Sequence, residues 1–354
     1  MTTTLFSEQK LRAFTQELFL KMGCSDKDAE TAADVLLCAD LRGIDSHGVA
    51  RLSGYHRLWQ SGRINTKPNI KVVHETLATA TLDADKALGL VAGPETMSLA
   101  IQKAKNVGTG WVAVKNSNHF GIAAYHAMMA LPHDMIGIAF TNASPLVAPT
   151  FSVERLLGTN PMCFAIPGGG AVDFVADLAT AAAANGKLEI AQRENKNIPE
   201  GWLQTQSGEA SQNAHELKNG GSLLTLGSNR DLGSHKGFAL SAVVDIFCGV
   251  LSGANYGPWV PPFVSFLPVL PNLPGEGLGH FFGAMRIDAF RPKAAFYENM
   301  QQWIARFKNA QTAHENEHVI IPGEPEYFET LKRKKEGIPL HDHVFRDLET
   351  LGFG

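Results

Sequence analysis

Gly110-Trp-Val-Ala-Val-Lys115-Asn-Ser-Asn-His119-Phe-Gly121 is the stretch whose reading sets the fold class. A short apolar run ends in a polar turn, helical periodicity resumes from Ala123 to Leu131, and a second apolar run follows at Met135-Ile-Gly-Ile-Ala-Phe-Thr141. Strand, turn, helix and strand in that order make an α/β unit. Further along, Phe164-Ala-Ile-Pro and Val172-Asp-Phe-Val-Ala-Asp177 flank Gly168-Gly-Gly170, which reads as a hairpin. Ile70 to His74, Ala78 to Asp83 and Phe281 to Asp288 have strand character, and Gly93 to Asn106 is helical. Tight turns between some strands and helices between others predict an α/β fold with a mixed, largely antiparallel sheet.

At the N-terminus, Leu11, Phe14, Leu18 and Phe19 line one face of a helix over 7–22. Gly23 ends it, and Ser25 with Asp28 opens a second helix that runs to Gly43. Near the C-terminus helices are expected at 295–308 and 324–336. This predicts a helical domain built from both termini, residues 1–75 with 290–354, around a central α/β domain, 76–289. Residues 186–235 are polar and aperiodic and read as surface loops. Lys236 to Gly253 is a strongly apolar helix. Gly257 to Pro274 carries six prolines among apolar residues, so it is neither helix nor central strand and is expected to cover a site or an interface.

The 354 residues are 44% hydrophobic, with a formal net charge of −4. No block of basic residues offers itself to a nucleic-acid backbone or an anionic membrane surface. Cys24, Cys38, Cys163 and Cys248 are far apart, without the spacing of a metal cluster or redox pair. No signal-peptide pattern opens the chain, and a reducing cytoplasm is the expected location. His341-Asp-His343 is the histidine pair closest together in sequence and gives little basis for a metal site.

Chemistry concentrates in Arg42-Gly-Ile-Asp-Ser46-His47-Gly-Val-Ala-Arg51. An imidazole exchanges protons near neutral pH, and a guanidinium grips a carboxylate with two parallel hydrogen bonds. A helix from Ser46 would put His47 and Arg51 on one face. The plainer alternative is a helix start capped by Ser46 with a solvated Arg51. His119 lies in the turn after the first strand, as a second acid/base candidate or as a turn cap. Gly158-Thr159-Asn-Pro161, Ser234-His-Lys236-Gly237 and Ile321-Pro-Gly-Glu-Pro-Glu326 are further turns able to approach an anion. G-x-G-x-x-G, the P-loop lysine motif and G-x-S-x-G are all absent.

These segments together resemble the malate/L-lactate dehydrogenase type 2 family. The resemblance runs over nearly the whole chain. It is carried by the 42–51 and 116–121 motifs, Asn142-Ala-Ser-Pro145, Gly158-Thr-Asn-Pro161, Asp177-Leu-Ala-Thr180, Ile198-Pro-Glu-Gly-Trp202, His235-Lys-Gly237, Pro322-Gly-Glu-Pro-Glu326 and Gly337-Ile-Pro-Leu340. It implies an NAD- or NADP-dependent oxidoreductase that interconverts 2-hydroxy and 2-keto acids, foremost malate and oxaloacetate, on a non-classical dinucleotide fold and as a homodimer. It implies Ser46 and His47 as a proton-transfer pair, His119 as the rival acid/base, and Arg51, Thr159 and Asn142 as substrate contacts. His119, Phe120, Gly121, Ile122, Ala123, Asp177, Leu178, Ala179, Lys236, Pro322, Gly323 and Glu324 are implied as cofactor contacts, with no metal. Residues 180–187 and 229–234 and the proline-rich segment depart from the family pattern. Other readings are reduction of a different 2-keto acid or a cyclic imine, a metal-dependent hydrolase, and a non-catalytic dinucleotide sensor.

Overall fold

A computed structural model describes residues 3–314 and 317–354. Its centre is a seven-stranded sheet in the order Lys71–Glu75, Thr79–Asp83, Thr109–Ser117, Leu278–Arg286, Met135–Thr141, Met162–Ile166, Phe174–Leu178. Only Thr79–Asp83 against Thr109–Ser117 is parallel; every other pairing is antiparallel. The sheet is therefore mixed and largely antiparallel, as the hairpin signal predicted. The late strand Leu278–Arg286 inserts between Thr109–Ser117 and Met135–Thr141, which neighbour each other in sequence. No local pattern announces that insertion.

The helix Gly89–Val107 packs one face of the sheet through Met97, Ala100, Ile101 and Ala104, all buried. The apolar helix predicted from Lys236 runs over Ser234–Asp245 and continues as a π-helical turn over Ile246–Val250. Val244 and Cys248 pack with Phe140 and Phe281 on the other face.

The helices Glu8–Lys21 and Asp26–Leu41 form the predicted hairpin, each entered through a serine whose Oγ accepts a backbone N–H. They share a core with Tyr55, Leu58, Ile338, Leu340, Val344 and Leu348, so the two ends of the chain pack together. Thr3–Phe6 pairs antiparallel with Ile338–His341, and a helix Asp342–Thr350 follows. The sequence reading contained neither strand nor this last helix.

Residues 186–235 correct the expectation of surface loops. They carry the helix Asn185–Glu194 and most of a four-stranded sheet, with its own core of Leu188, Ile198, Leu203 and Leu223. The strands are only two or three residues long, too short to show a period. Among the described residues no helix is long and apolar enough to cross a membrane.

Candidate active site

The segment Asp45–Arg51 is two successive 3₁₀ turns, Asp45–His47 and Val49–Arg51, and the α-helix begins only at Leu52. The predicted helix start at Ser46 is therefore moved. Gly48 makes the break, and the buried carboxyl of Asp40 fills the space beneath it. A Cβ at position 48 would lie 1.9 Å from Asp40 Oδ1. Asp40 Oδ2 accepts the Val49 N–H at 2.8 Å. From the far end of the chain, Arg333 donates to the Asp40 carbonyl at 2.7 Å and pairs with Asp45 and Glu329.

This segment and the turn after Thr109–Ser117 meet over a cavity of about 80 Å³, lined among others by His47, Arg51, His119, Ser144, Thr159 and Phe263. His47 and His119 face each other with ring centroids 5.7 Å apart. Ser46 Oγ lies 2.8 Å from His47 Nδ1. The Arg51 side chain donates from Nε to the Ser46 carbonyl, and its Nη2 lies 3.7 Å from Glu189. Its remaining N–H groups can serve an anion.

His119 is defined by its neighbours. Its Nδ1 receives the Gly121 N–H at 3.3 Å and lies 2.6 Å from the Tyr55 hydroxyl. A backbone N–H can only donate, so Nδ1 carries the lone pair, Tyr55 donates as well, and the ring proton is assigned to Nε2. Phe263 lies 4.6 Å from the imidazole and 5.3 Å from Tyr55. Burial pushes His47 down to about 3, with Arg51 adding to the effect. Burial, His47 and Arg51 hold His119 well below the usual histidine range. Both rings are neutral at pH 7.

The proline-rich segment supplies the Phe263 wall. Asp245 Oδ2 accepts the Gly257 N–H at 2.7 Å and Ser144 Oγ accepts the Phe263 N–H at 2.8 Å. Arg63 donates to the Pro262 carbonyl and Arg57 to that of Phe263. The expectation that this segment covers a site is met.

Other predicted residues lie elsewhere. Asn142 does not line the cavity: its amide donates to the Asn255 carbonyl at 2.7 Å and accepts the Gly279 N–H at 3.1 Å, so both ends are committed to backbone. Phe120 is fully buried with its ring between His126 and His280, at 4.5 and 4.8 Å, and Ile122 and Ala123 are buried too. Those three can offer a ligand backbone only. Asp177 Oδ2 accepts the Ala124 N–H at 2.8 Å, and burial raises its carboxyl to about 6. Leu178 beside it is 37% exposed. The Val175 N–H donates to the Pro322 carbonyl at 2.9 Å, which sets Pro322-Gly323-Glu324 against the same strand. Glu324 is occupied by Lys308 and the Ile321 N–H. Lys236 is exposed on the first turn of its helix and does not line the cavity.

Tyr55, Asp40 and Phe263 were not singled out by sequence, Ser144 entered only within the Asn142–Pro145 motif, and Arg333, in the basic run Lys332–Lys335 that reads as a solvated helix face, is instead buried against Asp40 and Asp45. Tyr55 stands four residues after Arg51, so helical spacing already put both on one face. The rest arrive through long-range packing. Among the described residues no group of three or more His, Cys, Asp or Glu could hold a metal ion.

Two facing imidazoles and an arginine with N–H groups to spare thus meet on one cavity beside a mixed sheet, in a sequence without the classical dinucleotide-binding glycine pattern. The family model for malate/L-lactate dehydrogenase matches residues 6–349, and the chain belongs to that family. It is 42% identical over 345 residues to a malate dehydrogenase of Pyrococcus abyssi, covering 97% of this chain and 93% of the relative. It is 36% identical to an L-sulfolactate dehydrogenase of Methanocaldococcus jannaschii, over 95% of this chain and 92% of that one. The crystal structure of malate dehydrogenase from Entamoeba histolytica superposes with a TM-score of 0.92 at 32% identity, covering 99% of this chain and 97% of the other.

Proposed function

We propose that the chain reversibly reduces a 2-keto acid to its 2-hydroxy acid with NADH or NADPH, and that oxaloacetate and malate are its principal pair. The observation that carries this reading is the pair His119 and Arg51 on one small cavity, with the His119 proton fixed on Nε2 by Tyr55 and Gly121. Malate dehydrogenases among the relatives support the choice of substrate.

The residues present suit a nicotinamide dinucleotide. Exposed apolar Leu178, the small Ala179, the Asp177 carboxyl and the backbone turn Pro322–Glu324 stand side by side, and exposed Lys236 can meet an anionic phosphate. When bound, the nicotinamide supplies the hydride that C2 of the keto acid accepts. Arg51 orients the substrate carboxylate, which confers much of the rate by geometry alone. Thr159 lines the same wall. Burial is the main reason imidazolium is disfavoured at His119, followed by His47 and Arg51; the entering carboxylate offsets the Arg51 field and so favours a proton on the ring as substrate binds. As imidazolium the ring carries a proton on each nitrogen: the Tyr55 oxygen then accepts from Nδ1–H, and Nε2–H passes to the substrate oxygen as C2 gains the hydride, leaving a neutral ring protonated on Nδ1. Ser46 and His47 form the facing pair that excludes water and relays protons.

The exposed residues Val243, Ile246, Phe247, Val250 and Leu251 recur at three- and four-residue spacing along one helix face. A second copy of the chain covers this stripe in the proposed homodimer. The functional reading is tested with a panel of 2-keto acids and both reduced cofactors. Oxaloacetate should be reduced fastest. Absence of turnover with every acid would refute the reading.

A further inference from the structure

Two cavities meet at Arg51. Beyond the catalytic one, a chamber of about 300 Å³ opens, and Arg51, Phe263 and Val264 belong to the walls of both. Ala50, Ser53, Gly54 and Arg57 face this chamber from the helix Leu52–Gln60 and the turn before it. Their spacing of three, four and seven residues is one helical face. Gly54 is required there, because a Cβ would come within 2.4 Å of the Phe263 ring. Arg57 donates to the Phe263 carbonyl, so the dividing aromatic is held from below and from the side.

The chamber is cationic. Arg51, Arg57 and Lys218 line it against a single carboxylate, Glu189. Glu189 is only 3.7 Å from Arg51 Nη2. Lys218 follows the short turn Ala214–Leu217, is exposed, and its ammonium has no hydrogen-bond or ion-pair partner among the described residues. A monocarboxylic keto acid has nothing to offer these groups once Arg51 holds its carboxylate. An acid with a second anionic group does.

We propose that this chamber is the subsite for a second acidic group, a carboxylate or sulfonate, on a 2-keto acid whose first carboxylate is held by Arg51. Lys218 recognises that group, and Arg57 adds to the field while fixing Phe263. The proposal rests on the functional reading above and names where its substrate class is selected. Glu189 sharpens the selection: without Lys218 it repels a second anion at the chamber.

The test compares wild type, Lys218→Met and Lys218→Arg in the reduction of oxaloacetate and of pyruvate at saturating reduced cofactor. Lys218→Met should lower kcat/KM for oxaloacetate about tenfold or more, through KM, as loss of a charge-assisted hydrogen bond requires. Pyruvate kinetics should not change, and Lys218→Arg should recover most of the loss. Equal losses for both acids, or no loss for oxaloacetate, would overturn the subsite, as would a wild-type enzyme that handles pyruvate as well as oxaloacetate. A wild-type enzyme that reduces neither acid would overturn the functional reading, and the subsite with it.

Discussion

Tyr55 decides what His119 can do. The phenol is fully buried, and burial pushes its pKa far above the usual tyrosine value, so it remains a donor at any physiological pH. Tyr55→Phe keeps the ring that packs on Phe19 and Phe263 but leaves Nδ1 with only the longer bond from Gly121. In steady-state kinetics kcat should fall by about tenfold to a hundredfold with little change in substrate KM, since a misplaced ring proton affects transfer more than capture. An unchanged kcat would show that the hydroxyl does not set the tautomer. Arg51→Lys should do the reverse. A point charge cannot span the Ser46 carbonyl and a carboxylate together, so substrate KM should rise about tenfold while kcat changes less. At this scale the sequence was informative: Ser46, His47, Arg51 and His119 all come to the site. Asn142 was legible as a polar turn residue, but spacing could not reveal that both ends of its amide are committed to backbone 113 and 137 residues away.

The segment Asp45–Arg51 keeps its shape as an element because Asp40 and Arg333 hold it from beneath. His47 and Arg51 share a cavity, as i, i+4 spacing predicted, yet the backbone between them is not α-helical. The break depends on Gly48 lying against Asp40, a contact that sequence periodicity does not encode. Asp40 also has a pH consequence. Burial, reinforced by Asp45, raises its carboxyl from 3.8 to about 8. The folded chain thus keeps a proton that the unfolded chain has lost, and stability falls as pH rises from about 4 to about 8. Asp40→Asn removes that dependence while preserving size and the acceptor for Val49. Thermal unfolding across this window should show wild type losing ground to Asp40→Asn as pH rises. A constant difference between the two would mean Asp40 does not titrate there. The proline-rich segment was legible as a cover, because prolines among apolar residues exclude helix and central strand. Its attachment points, Arg57 with Arg63, Ser144 and Asp245, come from three separate parts of the chain and were not.

For the whole molecule, the mixed sheet followed from a strand–turn–helix–strand unit and a glycine-marked hairpin. The insertion of Leu278–Arg286 and the pairing of Thr3–Phe6 with Ile338–His341 join residues far apart in sequence, where local patterns carry no information. The apolar stripe from Val243 to Leu251 leads to a prediction at this scale. Ile246→Glu places a charge in the middle of the proposed subunit contact, where each buried aliphatic side chain contributes roughly 1.5–3 kcal/mol. Sedimentation should find wild type as a dimer and the variant shifted to monomer; a wild-type monomer would remove the contact. The most direct test of the whole account is the turnover of oxaloacetate with reduced nicotinamide cofactor by wild type and by His119→Ala, with circular dichroism to confirm that both are folded. Wild type should oxidise the cofactor only when oxaloacetate is present, and His119→Ala should be slower by about a hundredfold or more. A folded His119→Ala protein with wild-type turnover would contradict the assignment of the proton to this imidazole and the mechanism built on it.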